Sequence, residues 1–190
     1  MKVAITTCLL LLVACAPSGR LPEPSPTPSA GWSTHDAAGL RIEAPTTWLG
    51  PEVLPAMDST GAPRTFVVFH DANGAEAVTL LTWPDATASS IAATQFNSEY
   101  PQGPSSQQLT VVDGTRTRTV VAVTAYGQWY DASGAGTYEC RHLYVQVDPR
   151  LVADVIACGA HVKGNSTPTP ELRRMQEQVA LRLGLSGGQP

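Results

Sequence analysis

Cysteine and histidine are the residue types here whose placement most directly implies chemistry, and their spacing sorts them. Cys140 and Cys158 fall on the two arms of a predicted hairpin, Tyr138 to Val147 and Leu151 to His161, turning at Asp148-Pro149-Arg150. Each is nine residues from Pro149, so the pair is directly opposed. Opposed residues of an antiparallel pair have Cα atoms about 4.5–5.5 Å apart, a span that a disulfide accepts in an oxidising compartment. The same register puts Leu143, Val145, Val147, Leu151, Ala153 and Val155 on one face and leaves the bridge on the other with His142, Tyr144 and Asp154. A competing reading makes Cys140, His142 and Cys158 three zinc ligands, but a fourth ligand and the short Cys-x-x-Cys loop of structural zinc sites are missing. The metal expectation is therefore none, and no cofactor is expected.

Other chemistry is sparse. Gly-x-Ser-x-Gly, Ser-x-x-Lys and His-Glu-x-x-His do not occur, and His35, His70, His142 and His161 are scattered, so none is nominated as catalytic. Asp131-Ala132-Ser133-Gly134-Ala135-Gly136 lacks the lysine and helix of a phosphate loop and reads as a flexible hairpin connection. Trp129 and Tyr130, with Tyr126 and Tyr138 nearby, concentrate aromatic surface there and form the candidate binding site for a partner or glycan; packing beneath the loop is the alternative. Arg116 and Arg118 share a strand face that reads as solvated, with anionic headgroups as the alternative contact.

The N-terminus is more explicit. Met1-Lys2 precedes an apolar run from Val3 to Val13 and then Ala14-Cys15, the order of an export signal. That run is far shorter than the roughly 20 residues needed to span hydrocarbon. Leu12-Val13-Ala14-Cys15 resembles the lipobox of bacterial lipoproteins at each position. The resemblance implies a diacylglycerol on the Cys15 thiol, cleavage before Cys15 and often acylation of the freed amine; Cys8 is discarded with the signal. Two or three chains, at about 0.8 kcal/mol per buried methylene, hold a protein stably. With Ala16 rather than Asp after the cysteine, the resemblance implies no inner-membrane retention. The expected address is the cell membrane or the outer membrane, facing the periplasm or exterior.

Residues 15–31 follow as lipidated cysteine and tether, since Pro17, Pro22, Pro24, Pro26 and Pro28 lie among Ser, Thr and Ala without apolar periodicity. In polyproline II, at ~3.1 Å per residue, such a tether reaches roughly 50 Å. The whole chain carries a net charge of −4 and has no basic block, which argues against nucleic acid as a partner. Removal of residues 1–14 leaves about 175 residues, enough for one domain with its own core.

That domain is expected over residues 32–185, with 186–190 a flexible tail. Leu40-Arg41-Ile42-Glu43-Ala44 alternates like a half-buried strand before Pro45. Phe66 to His70 and Ala77 to Trp83 flank Asn73-Gly74, and Leu109 to Val112 and Thr115 to Tyr126 flank Asp113-Gly114, so each pair predicts a hairpin. Ala88, Ile91, Ala92, Phe96 and Tyr100 predict one helix. A second has Thr169 as cap, Pro170 at its first position and the stripe Leu172, Met175, Val179, Leu183. The expectation is an α+β domain, a curved antiparallel sheet of about six to seven strands with two packed helices.

The opening Leu40-Arg41-Ile42-Glu43-Ala44-Pro45-Thr46-Thr47-Trp48 resembles the start of PsbP-like domains and of LpqN-type actinobacterial lipoproteins, as does the order of elements. The resemblance implies the same α+β fold and a non-enzymatic accessory or assembly role with an envelope protein partner. A binding module for an apolar or glycan ligand, or an envelope enzyme with an unrecognised site, are the alternatives.

Overall fold

The structure, a computed structural model, describes residues 31–57, 61–73, 75–99, 107–131, 134–160 and 164–187. The expected signal, Cys15, the expected tether up to residue 30, and His161 lie outside these residues.

Turn chemistry sets the hairpins. Asp71 Oδ1 accepts from the backbone N–H of Asn73 at 2.8 Å and of Ala75 at 3.0 Å, reversing the chain between β4 (Pro63–His70) and β5 (Glu76–Pro84). Gly114, at φ +57°, occupies the turn between β6 (Gln107–Asp113) and β7 (Arg116–Asp131). β8 (Gly134–Asp148) and β9 (Leu151–Cys158) turn across Pro149 and Arg150, with a register shift between Gln146 and Asp148. With β3 (Leu49–Met57) these strands form one sheet in the order β3-β4-β5-β9-β8-β7-β6, and β10 (Gly164–Ser166) runs parallel against β8.

The order contains one jump. From β5, in the middle of the sheet, α1 (Ala88–Glu99) carries the chain to β6 at the far edge, and the meander β6-β7-β8-β9 then returns to pair with β5. Thr87 and Ser90 cap α1 reciprocally at 3.2 Å, and Gln146 of β8 accepts from Ala88 N at 3.0 Å.

One face of this sheet is covered by a three-stranded sheet of β1 (Trp32–Ala37), β2 (Leu40–Pro45) and β11 (Gly184–Leu185), together with α2 (Pro170–Arg182). Leu40 and Ile42 meet Phe69, Leu80, Leu143 and Val179 there in the larger core. On the other face α1 contributes Ile91 and Ala92 to a smaller core with Leu81, Trp83, Val123, Tyr144 and Val152. Burial on both faces is why the centre of β8 and most of β9 read as apolar runs.

The α+β expectation, which the PsbP-like resemblance also implied, is corrected. The described residues form eleven strands and two helices, so the protein is mostly β, with an eight-stranded and a three-stranded sheet. The missed strands have tertiary causes. β1, Trp-Ser-Thr-His-Asp-Ala, is polar and becomes a strand by pairing with β2 through Ala38 (φ 52°) and Gly39 (φ 77°), which both adopt the left-handed conformation of a tight hairpin turn. β3 holds Pro51 and Pro55, which an edge strand tolerates because no neighbour needs their missing N–H.

Thr169 caps α2, accepting from Leu172 N at 3.1 Å, with Pro170 at the first turn as expected. The buried stripe differs: Gln176, fully buried, takes a place expected for an apolar residue and donates through Nε2 to the carbonyls of Arg141 and Val155, both at 2.7 Å. Arg116 and Arg118 do not form a solvated face. Arg118 donates to the carbonyls of Ala180 and Leu183 at the end of α2, each at 2.8 Å, satisfying groups that a helix leaves unpaired. Burial lowers the Arg118 pKa from its usual value. Arg116 pairs at 3.4 Å with Glu43, which is 2 % exposed rather than on the wet face of β2. Arg182 completes the network, lying 3.6 Å from Glu43, bonding Asp113 and stacking over Trp32 at 4.3 Å.

Replacing Arg118 with Met is expected to destabilise the fold by about 2–4 kcal/mol, since two charge-assisted bonds to helix carbonyls are lost. Arg150→Met, which removes an exposed pair with Asp85, is expected to cost under about 1 kcal/mol. Urea denaturation of both variants tests the ranking.

Candidate functional site

The polar groups with the closest chemistry lie on the α1 face, where β7, β8, β9 and β5 run side by side. Cys140 and Cys158 are directly opposed and disulfide-bonded, with Cα atoms 4.0 Å apart. Along the same face His142 is opposite Ile156, and Tyr144 is opposite Asp154. The face assignment derived from the hairpin register thus holds, as does the bridge. Both sulfurs are consumed by it, so Cys140, His142 and Cys158 do not form a zinc site, and no group of three metal-capable side chains occurs among the described residues.

Asp154 is fully buried and its Oδ2 lies 2.9 Å from His142 Nδ1. The His142 ring stacks on Tyr144, with centroids 6.1 Å apart and planes 18° from parallel. Asp154 Oδ1 has no hydrogen-bond partner among the described residues. Cross-strand register produces this arrangement: His142 and Asp154 are diagonal neighbours on β8 and β9, within reach for long side chains. With the proton on Nδ1, His142 donates to the Asp154 carboxylate, the contact by which a carboxylate orients an imidazole in many catalytic pairs. The nearest sulfur along the strand, Cys140, is oxidised and cannot supply the nucleophile.

Farther along this face an open cavity of about 210 Å³ is lined by Ser89, Ala92, Ala93, Gln107, Gln108 and Val121, between α1 and the β6-β7 pair. Val121 is opposite Tyr144, which links the cavity wall to the stacked ring.

A serine–histidine contact lies on β1, where Ser33 Oγ is 2.8 Å from His35 Nε2 and 3.3 Å from the carbonyl of Ala44. The His35 ring packs edge-on against Phe69 at 5.4 Å, and burial lowers its pKa below the ordinary histidine value, favouring the neutral ring. These contacts fasten β1 over the larger core. His70 is held near Glu52 at 3.5 Å.

Trp129 and Tyr130, the candidates from sequence, lie within β7, paired with Gly136 and Ala135 of β8, rather than in a loop. Their side chains lie outside the described part of the structure. Of the connection expected over residues 131–136, Asp131 belongs to β7 and Gly134 to Gly136 belong to β8. Tyr138 lies across Gly127, where a Cβ would come within 2.8 Å of two ring carbons and the hydroxyl oxygen, so the glycine makes room for the aromatic side chain opposite it. Tyr126 is exposed. The His142–Asp154 pair was legible as a shared face but not as a contact, because the pairing depends on side-chain reach across the strands.

No family model matches the chain, and neither does any curated protein. Among solved structures, a protein from Bacteroides thetaiotaomicron VPI-5482 is similar at 12% identity, with a TM-score of 0.43, over 82% of this chain and 48% of its own. The chain thus spans about half the length of that protein, and a likeness so distant carries no argument about fold or function.

Two predictions follow from this face. His142→Ala leaves the Asp154 carboxylate buried and unpaired and is expected to cost about 3–5 kcal/mol, whereas His142→Leu combined with Asp154→Leu recovers most of that stability; chemical denaturation of the two variants checks it. The bridge closes a segment of 18 residues, so replacing both Cys140 and Cys158 with Ala is expected to cost about 3 kcal/mol in the chain-entropy account, read as a lower guanidinium midpoint.

Proposed function

We propose that this chain is an exported lipoprotein, acylated on Cys15 and cut before it, whose β domain serves at the cell membrane or outer membrane as a non-enzymatic accessory or interaction module. The observation that carries the reading is Leu12-Val13-Ala14-Cys15 placed directly after a short apolar run. The Cys140–Cys158 bridge supports it, because structural disulfides persist in the oxidising compartments that exported proteins enter. The proline-rich residues 16–31 suit a spacer between anchor and domain.

The anchor is tested by expressing the chain and its Cys15→Ser variant in a bacterial host and partitioning both between detergent and water. The parent is expected in the detergent phase with the mass of a diacylglyceryl group on its first residue, and the variant in the aqueous phase. A variant that stays in the detergent phase overturns the proposal. Crosslinking in intact cells tests the interaction role, which predicts a discrete protein adduct.

A further inference from the structure

β3 differs from every other strand of the large sheet. Seven large hydrophobic side chains are exposed among the described residues, and four of them, Leu49 (55 %), Val53 (52 %), Leu54 (39 %) and Met57 (77 %), lie on this one edge strand. The apolar side chains project on both sides of the strand, since Val53 is opposite Val67 and Leu54 opposite Phe66, which occupy opposite faces of β4. The rim itself is therefore apolar, not one face of it.

Such an edge commonly invites another strand, but Pro51 and Pro55 each lack an N–H, so the strand has fewer donors to offer one. That disfavours an extended peptide or a second copy adding to the sheet. Charge is equally restricted: Glu52 is the one charged residue of β3, and it is paired with His70. What the strand offers is apolar contact without backbone pairing and without electrostatic attraction.

The position of the chain outside the described residues selects the occupant. The carbonyl of Gly31 accepts from Thr46 N at 2.9 Å and from Thr46 Oγ1 at 3.3 Å, and Thr46 is three residues before Leu49. The segment leading from Cys15 therefore enters the domain beside the start of β3. Trp48, partly buried and tilted against Phe69 at 6.2 Å, is at the same corner, and an indole there suits the boundary between headgroups and acyl chains.

We infer that the β3 rim, with Trp48, rests on the lipid surface to which the chain is anchored. The inference depends on the Cys15 reading for its setting, because the anchor keeps the domain within roughly 50 Å of the bilayer and supplies the local concentration that a small apolar rim needs. The domain then lies on its side, with β3 at the boundary and β6 at the opposite, outward edge of the sheet. Since β3 carries no basic residue, contact is independent of anionic lipid and of salt.

The test uses the mature chain with a hexahistidine segment in place of Cys15, held on phosphatidylcholine vesicles containing a nickel-chelating lipid. Hydrogen exchange is followed in β3 and β6, and tryptophan emission is followed with brominated phosphatidylcholine. Expected on vesicles are slowing of β3 exchange on the order of tenfold, unchanged β6 exchange and quenched emission, at low and high salt alike. Val53→Asp with Met57→Asp, confirmed folded by circular dichroism, is expected to stay on the vesicles through the tag and to lose the β3 protection. Equal β3 exchange with and without vesicles overturns the inference, as does protection that appears without lipid and grows with protein concentration, which marks self-association. Because the tag replaces the lipid, the result is independent of whether Cys15 is acylated, which the partitioning experiment decides separately.

Discussion

The pairing of β5 with β9 is the joint on which the large sheet depends. β3, β4 and β5 form one run of hairpins, and β6, β7, β8 and β9 form another; they become a single sheet only where Leu80 meets Val155 and Thr82 meets Ala153. That joint is useful only if β9 is also in the right register with β8, because a slip of one residue would turn Val155 and Ala153 away from the larger core. The Cys140–Cys158 bond pins that register at one end, and the turn at Pro149 and Arg150 pins it at the other. Both cores follow, with Leu143 and Val155 beneath α2 and Tyr144 and Val152 beneath α1.

Local sequence revealed the parts of this architecture that local physics controls. The turns at Asn73, Gly114 and Pro149, the capped start of α2 and the opposition of the two cysteines all depend on residues within a few positions of one another. The strands β1 and β3 did not show themselves, because a polar segment and a proline-containing one become strands only when a neighbour supplies the other half of the ladder. The α+β expectation failed for that reason: the helices were where periodicity put them, while the strand content was underestimated.

Charged residues were the hardest to read. Alternation places Glu43 and Arg118 on outward faces, yet Glu43 is sealed between Arg116 and Arg182, and Arg118 closes the end of α2. A charge is tolerated in such a place only when partners replace its water, and those partners come from elements more than 60 positions away in sequence. The His142–Asp154 pair obeys the same rule on the other side of the sheet. Its residues shared a predicted face, but spacing along a strand does not disclose which diagonal neighbours touch.

The stacking of Arg182 over Trp32 also bears on how the protein withstands pulling. Trp32 pairs with Pro45, the last residue of β2, so tension applied ahead of Gly31 meets the β1-β2 ladder at its open end. In that geometry hydrogen bonds yield one at a time, like a zipper, instead of sharing the force. The guanidinium over the indole, and the Gly31 carbonyl held by Thr46, sit at the first rung, where such peeling begins. Any stress reaching the domain from the residues ahead of Gly31 is thereby passed to the end of α2 and the Glu43–Arg182–Asp113 charge network before the ladder opens.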